Sequence, residues 1–409
     1  SYVTSVRDEG RGPAFPAVVK SQVYAAYLFD KVGDGVYFNG SLTDITDKIQ
    51  TESVSPGILR TSVDLGEEAF GKTAYIVTLH WYNRGDTFGG VYKEAFCDLL
   101  QRYADIPFDG TALDEFQYMR LRLGSIRNNL QIRDRMYSET FAAALTQAAG
   151  CDARQVLLDM RYVPDGQQGR RMRAINYYFD VHRRGALPTE IAFYKQSKEL
   201  FGPHTFAGVH NTSHNDLLLD EIWGTGGMWW DLPREYGQTD EDIVFPVRLG
   251  ICAAAQKNLS YDMYYNGEYA FPKALYDARF NSRVHYHAYD DTVWGLNMNT
   301  PEAKTQSRLV EEKIRLLNRF DAPMPKSDLL LILGTRAVIN WYPDISARNR
   351  YDFNGSASVM TDMRQIWDAG YVATAIPDYT IDDGRLQLQG QNLCFNGHTY
   401  RAVVYLYPQ

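Results

Sequence analysis

The chain has 409 residues, too many for one average domain and enough for a barrel with a smaller companion. Hydrophobic residues make up 45% and charged residues 22%, the balance of an ordinary soluble globular protein. The net charge is -8 with no basic block to offset it, which argues against a nucleic-acid partner.

The four cysteines, Cys97, Cys151, Cys252 and Cys394, are far apart and form no CxxC pair, so they read as free thiols rather than a disulfide framework or a zinc knuckle. No apolar run reaches the roughly 18 residues of a membrane span, and no signal-peptide pattern opens the chain, which begins at Ser1. Aromatic residues reach 13%, with 29 Tyr and 7 Trp, a richness that suits ring-shaped ligands as well as packing.

Residues 1–70 read as a β-rich subdomain or insertion. "QVYAAYLF" alternates, and "VGDGVYFNG" carries turn signals. From residue 71 to 320 the rhythm is that of a parallel α/β domain. "TAYIVTLHW" is a near-continuous apolar strand, "GGVYKEAFCDLLQRYADI" has helical spacing, and "FDGTALDEF" is a second strand. Residues 116–203 form a helical excursion, in which "ETFAAALTQAAG" stops at Gly150 and Arg170, Arg171 and Arg173 lie on a solvated face. Strands are then expected at "HTFAGVHNT", "GGMWWDLP", "NLSYDMYYN" and "SRVHYHAYD". That makes six barrel-type strands where an (α/β)8 barrel needs eight, so the expectation is an incomplete barrel. Residues 327–409 repeat a strand–helix–strand pattern, "LLLILG", "SASVMTDMRQIWDAG" and "YVATAIP", read as a truncated flavodoxin-like α/β domain.

In parallel α/β barrels the site forms at the carboxyl ends of the strands. The expected strand ends hold His80 and Trp81; Asp114 and Glu115; His210 and Asn211; Trp229, Trp230 and Asp231; Asn266 and Glu268; and His285 and His287. Glycosidic cleavage uses two carboxyl groups that flank the bond, one protonating the leaving oxygen and the other attacking carbon or activating water. Glu115 is the candidate acid. Adjacent strand residues face opposite ways, so Asp114 would support it. Glu268 in "YYNGEY" and Glu221 in "LLLDEIWGTGG" are the candidate partners. Asp240 and Glu241 open a helix behind Thr239, where capping and the helix dipole explain them. The Trp, His and Asn residues of the rim are the candidate sugar-binding groups. A metal-dependent hydrolase is the alternative that "HNTSHND" and His285 with His287 keep open, though no helical ligand pair supports it. No dinucleotide, Walker, nucleophile-elbow or kinase signature stands in its required context, and no cofactor is expected.

The segments "DGTALDEF", "GVHNT", "DEIWGTGG", "TDEDIVFPVRLG" and "YDMYYN" resemble large bacterial, Bacteroidetes-type glycoside hydrolases with a clan-A-like barrel. Those proteins are related in layout to α-L-rhamnosidases and family 42 β-galactosidases. The resemblance implies a β-rich interruption of the barrel and a flavodoxin-like domain after it, whose last strand looks like "FNGHTYRAVVYLYP". It implies a carbohydrate substrate, a plant-type or other complex polysaccharide or oligosaccharide, and a periplasmic or extracellular setting. The two missing barrel strands and the early stop of the second α/β pattern give the expectation that the chain is a fragment, and a homo-oligomer stays open. The clan's acid/base Glu ends the fourth strand, which maps onto Glu115, with Asp114 where an Asn normally stands. Its nucleophile ends the seventh strand, where Glu268 lies two residues beyond Asn266. Retaining and inverting chemistry, and a non-catalytic carbohydrate-binding relative, all remain open.

Overall fold

The computed structural model describes residues 2–5, 18–55, 58–82, 86–113, 137–210, 229–233, 235–238, 244–256, 259–263, 282–286, 292–293, 296–297, 299–319, 325–340 and 359–407, with single positions at 272, 276 and 279. Eight strands come first: β1 (Tyr2–Ser5), β2 (Val18–Phe29), β3 (Lys31–Gly33), β4 (Val36–Tyr37), β5 (Thr43–Asp44), β6 (Gln50–Ser55), β7 (Ile58–Ser62) and β8 (Thr73–Tyr82). Helix α1 (Val91–Gln101) and β9 (Gly110–Leu113) follow, then α2 (Glu139–Ala149), α3 (Ala153–Asp159), β10 (Val163–Pro164) and the long α4 (Gln168–Phe201). Next are β11 (Phe206–His210), β12 (Tyr236–Gln238), α5 (Phe245–Ala255), β13 (Leu259–Met263), β14 (Ser282–Tyr286), β15 (Thr292–Val293), β16 (Leu296–Asn297) and α6 (Pro301–Arg319). The last part holds β17 (Leu329–Leu333), α7 (Thr335–Asn340), α8 (Val359–Asp368), β18 (Ala373–Pro377), α9 (Tyr379–Asp382), β19 (Leu386–Gln389), β20 (Asn392–Phe395), β21 (His398–Tyr400) and β22 (Ala402–Leu406).

The chain divides into two compact units, residues 1–89 with 137–181, and residues 90–136 with 182–409. In the first unit the β2–β8 ribbon is the spine. Its strands run antiparallel from Phe29 opposite Thr73 to Val18 opposite Tyr82, with irregularities near Val18 and Val23. Alternation puts Ala25, Tyr27 and Phe29 on one face of β2. They bury against Tyr37, Leu158 and Tyr162, with Tyr75 and Val77 of β8 and Leu42 closing over them. Ser138 caps α2 by accepting the Phe141 N–H at 3.1 Å, and Gly150 ends it in the left-handed conformation at φ 68. A Cβ on Gly150 would meet nothing within 4 Å, so its cost is conformational alone. We expect Gly150→Ala to lose about 1 kcal/mol in urea unfolding.

One expectation is corrected here. "TAYIVTLHW" does not open the parallel sheet; it is β8, antiparallel to β2 in a three-stranded sheet ordered β5-β2-β8. Its apolar run reflects partial cover on both faces, which a ribbon in a small β-unit provides as well as a barrel does.

In the second unit, five strands form an all-parallel sheet in the order β14-β13-β12-β11-β9. Neighbours in space are neighbours in chain order among these five, the arrangement that successive β–α units produce. The fold is mixed α/β; among the described residues this sheet is open, and no closed barrel is seen. A second parallel sheet, β18-β17-β22, carries the buried "LLLIL" and "ATAIP" strands, and an antiparallel meander, β19-β20-β21, follows β18 in sequence. Helix α5, buried from Pro246 to Ala253, packs on β18. The contact is closed by Asn396, whose side-chain amide donates to the carbonyls of Ala253 (3.4 Å) and Ala254 (3.0 Å). No helix among the described residues is long and apolar enough to cross a membrane.

Candidate active site

The sheet's two faces can be told apart at β9. The Thr111 hydroxyl donates to Ser197 Oγ of α4 at 2.9 Å, so Thr111 belongs to the face that α4 covers. Alternation puts Leu113 with it and Ala112 on the opposite face. The burial of β9 agrees: Thr111 and Leu113 are half-buried while Gly110 and Ala112 are exposed.

Register aligns the other strands with β9. Leu113 pairs with Val209, Val209 with Gly237, Gly237 with Tyr261 and Tyr261 with Val284. That row contains no charged residue. One step toward the carboxyl end, His210 pairs with Gln238, Gln238 with Asp262 and Asp262 with His285. Four consecutive strands thus place two histidines, an amide and a carboxylate at one level. The sequence reading singled out His210 and His285 and missed Gln238 and Asp262. The signal was present in "LSYDM", where Ser260 and Asp262 are the polar residues of a two-residue alternation.

The other candidates fall in three groups. Asp114, Glu115, Asn211, Glu221, Asn266, Glu268 and His287 lie outside the described residues. His80 and Trp81 sit on β8, in the antiparallel sheet of the first unit, where Ser21 Oγ is 2.8 Å from His80 Nδ1 and the Lys20 ammonium is 5.9 Å from the Trp81 ring. They are therefore not part of the parallel sheet's carboxyl end.

The third group corrects another expectation. The strand expected at "GGMWWDLP" does not run through Trp229–Asp231. Trp229–Asp231 form a 3-10 turn, and the sheet strand is β12, beginning five residues after Asp231. Trp230 is buried, and its indole N–H donates to the Ala375 carbonyl of β18 at 3.0 Å. Asp231 accepts from Arg183 (2.6 Å), Arg385 (2.6 Å) and the Tyr379 hydroxyl (3.1 Å), while Arg385 also donates to the Trp230 carbonyl at 2.7 Å. The Arg183 guanidinium lies 3.9 Å from the Tyr379 ring centroid. Burial, reinforced by the Asp231 charge, pushes the Tyr379 phenol well above its ordinary range, so it stays a neutral donor. This cluster ties α4, the turn and the second parallel sheet together. It removes Trp230 and Asp231 from the set free to meet a sugar.

A carboxylate near the amino end of the five-stranded sheet has a similar structural role. Glu235 accepts from Lys198 Nζ (2.6 Å), the Tyr194 hydroxyl (3.0 Å) and the Ala207 N–H (2.8 Å), fastening α4 to β11. Burial and then the bond to Glu235 raise the Tyr194 phenol. Among the described residues no group of three or more His, Cys, Asp or Glu is placed to hold a metal ion.

No family model matches the chain, and no curated protein matches it. Solved structures with a distant likeness include a β-galactosidase from Rahnella sp. R3, 11% identical with a TM-score of 0.42 over 73% of this chain and 50% of that one. A rhamnosidase from Novosphingobium sp. PP1Y is 13% identical with a TM-score of 0.43, over 91% of this chain and 37% of that one. A β-galactosidase from Marinomonas ef1 is 9% identical with a TM-score of 0.41, over 74% and 55%. The chain thus spans about half the length of these proteins or less.

Proposed function

We propose that the chain carries the catalytic site of a glycoside hydrolase acting on a complex polysaccharide or oligosaccharide. The observation that supports this reading most is the polar row His210–Gln238–Asp262–His285 at the carboxyl end of a sequentially ordered parallel sheet. α/β barrels build their sites at that end, and sugar hydroxyls are met by imidazole, amide and carboxylate groups. In this reading Glu115, which follows the last residue of β9 by two, protonates the glycosidic oxygen. A second carboxylate acts on the opposite side of the bond, for which the sequence offered Glu221 and Glu268. Asp114, Asn211, Asn266 and His287 remain proposed sugar contacts with His210 and His285.

The test is Glu115→Gln, assayed on a panel of p-nitrophenyl glycosides. Turnover is expected to fall about 10²- to 10⁴-fold with the far-UV circular dichroism unchanged. A variant as active as the parent chain removes Glu115 from the acid's role.

A further inference from the structure

A surface at the amino end of the five-stranded sheet takes no part in the proposed site. Leu99, Tyr103, Ile106 and Phe108 are each 37–47% exposed, and Pro107 between them is exposed as well. Single exposed apolar residues are ordinary, but these five fall within ten positions and adjoin one another. Leu99 and Tyr103 stand four residues apart, and Arg102 keeps helical backbone at φ -65, so both lie on one side of the end of α1. The Ile106 N–H donates to the Tyr103 carbonyl at 3.0 Å and the Phe108 N–H to the Ile106 carbonyl at 2.9 Å, which folds the connection to β9 back on Tyr103. The Tyr103 and Phe108 ring centroids are 6.4 Å apart. Behind this surface the Phe108 ring meets Phe201 of α4 at 5.3 Å, and Phe96 of α1 meets Phe193 of α4 at 6.4 Å, so the patch stands on packed helices.

Area and charge bear on what covers it. Each of the four large side chains leaves about 70–110 Å² uncovered, and with Pro107 the patch presents roughly 400 Å² of mostly apolar surface. A standard interface buries about 800 Å² on each partner, of which about 450–500 Å² is apolar. One such patch therefore supplies most of the apolar share of one side. A two-fold axis needs no other surface, because each copy presents the same patch to the other. The exposed charges at the border have both signs, with Arg102 among Asp98, Asp105 and Asp109. A partner of one strong charge would set like against like at part of this border, whereas a second copy sets Arg102 against carboxylates.

We propose that this patch is the contact of a homodimer, in which Leu99, Tyr103, Ile106 and Phe108 of each copy pack on the same residues of the other. The contact lies at the end of the sheet opposite His210 and His285, so both copies keep that end open to solvent. The dimer does not depend on the glycosidase reading.

The experiment is sedimentation equilibrium of the full 409-residue chain over a range of concentrations. The mass is expected to rise from 46.7 kDa toward twice that value by about 100 µM. Tyr103→Lys combined with Ile106→Lys changes exposed positions only, and is expected to weaken self-association at least about 100-fold with thermal unfolding of the dilute chain unchanged. Hydrogen exchange of the parent at low and high concentration needs no variant to fold, and is expected to slow at residues 98–109 as the dimer forms. A parent that stays at 46.7 kDa at about 100 µM overturns the proposal and leaves the patch to a different partner. A dimer that the double variant leaves intact, or whose slowed amides lie elsewhere, overturns it as well.

Discussion

Gly250→Ala is expected to destabilise the second unit by at least about 3 kcal/mol, seen as a lower urea midpoint or as loss of soluble protein. A Cβ at this position would lie 1.7 Å from the Ala375 carbonyl oxygen, 2.8 Å from its carbon and 2.9 Å from the Trp230 indole nitrogen. Two of these atoms are backbone of β18, a strand buried along its whole length, so they cannot swing aside as a flexible side chain would. The third donates to that same carbonyl, so pushing α5 away opens the Trp230 bond as well. Helix propensity alone predicts the opposite sign, because alanine in a helix interior is favoured over glycine by about 1 kcal/mol. The sign of the measured change therefore decides between a tight helix–sheet contact and an exposed helix. A stabilised variant would show that α5 does not pack on β18 at this distance.

The same contact shows why parts of this fold could be read in the sequence and others could not. Local chemistry was legible. Gly150 ends α2, the alternating residues of β2 face a core, and the apolar-rich runs at Leu329 and Ala373 are buried parallel strands. Partner choice was not legible. The run at Thr73 to Tyr82 has the composition of a barrel strand, yet β2 takes it as an antiparallel neighbour, because apolar character on both faces does not encode strand direction. Trp230 and Asp231 looked like a sugar platform at a strand end. They are anchors for a second sheet more than 140 positions away in sequence, a distance at which no local pattern can signal. The candidate site divides in the same way. His210 and His285 stood out as single residues at strand ends. Gln238 and Asp262 joined them only when register showed that all four share one level.

Asp231→Ala is expected to cost about 3–5 kcal/mol, with no selective effect on sugar affinity. The Asp231 side chain is only 6% exposed and receives two arginines and a phenol. Removing it withdraws the carboxylate from Arg183, whose side chain is 11% exposed, where water can restore little of the lost solvation. Arg385 is 26% exposed and keeps Asp383 at 2.7 Å. Asp231→Asn should lie between parent and alanine, since an amide can still accept from Tyr379 but no longer neutralises a guanidinium. Tyr379→Phe should cost about 1 kcal/mol, the worth of one bond lost from the cluster. The order alanine, asparagine, then phenylalanine at Tyr379, in guanidinium unfolding, is the signature of a buried ion cluster. A change below about 1 kcal/mol for Asp231→Ala would instead place these charges in water, where an ion pair is worth little. Weaker sugar binding at unchanged stability would return Asp231 to the rim of the site.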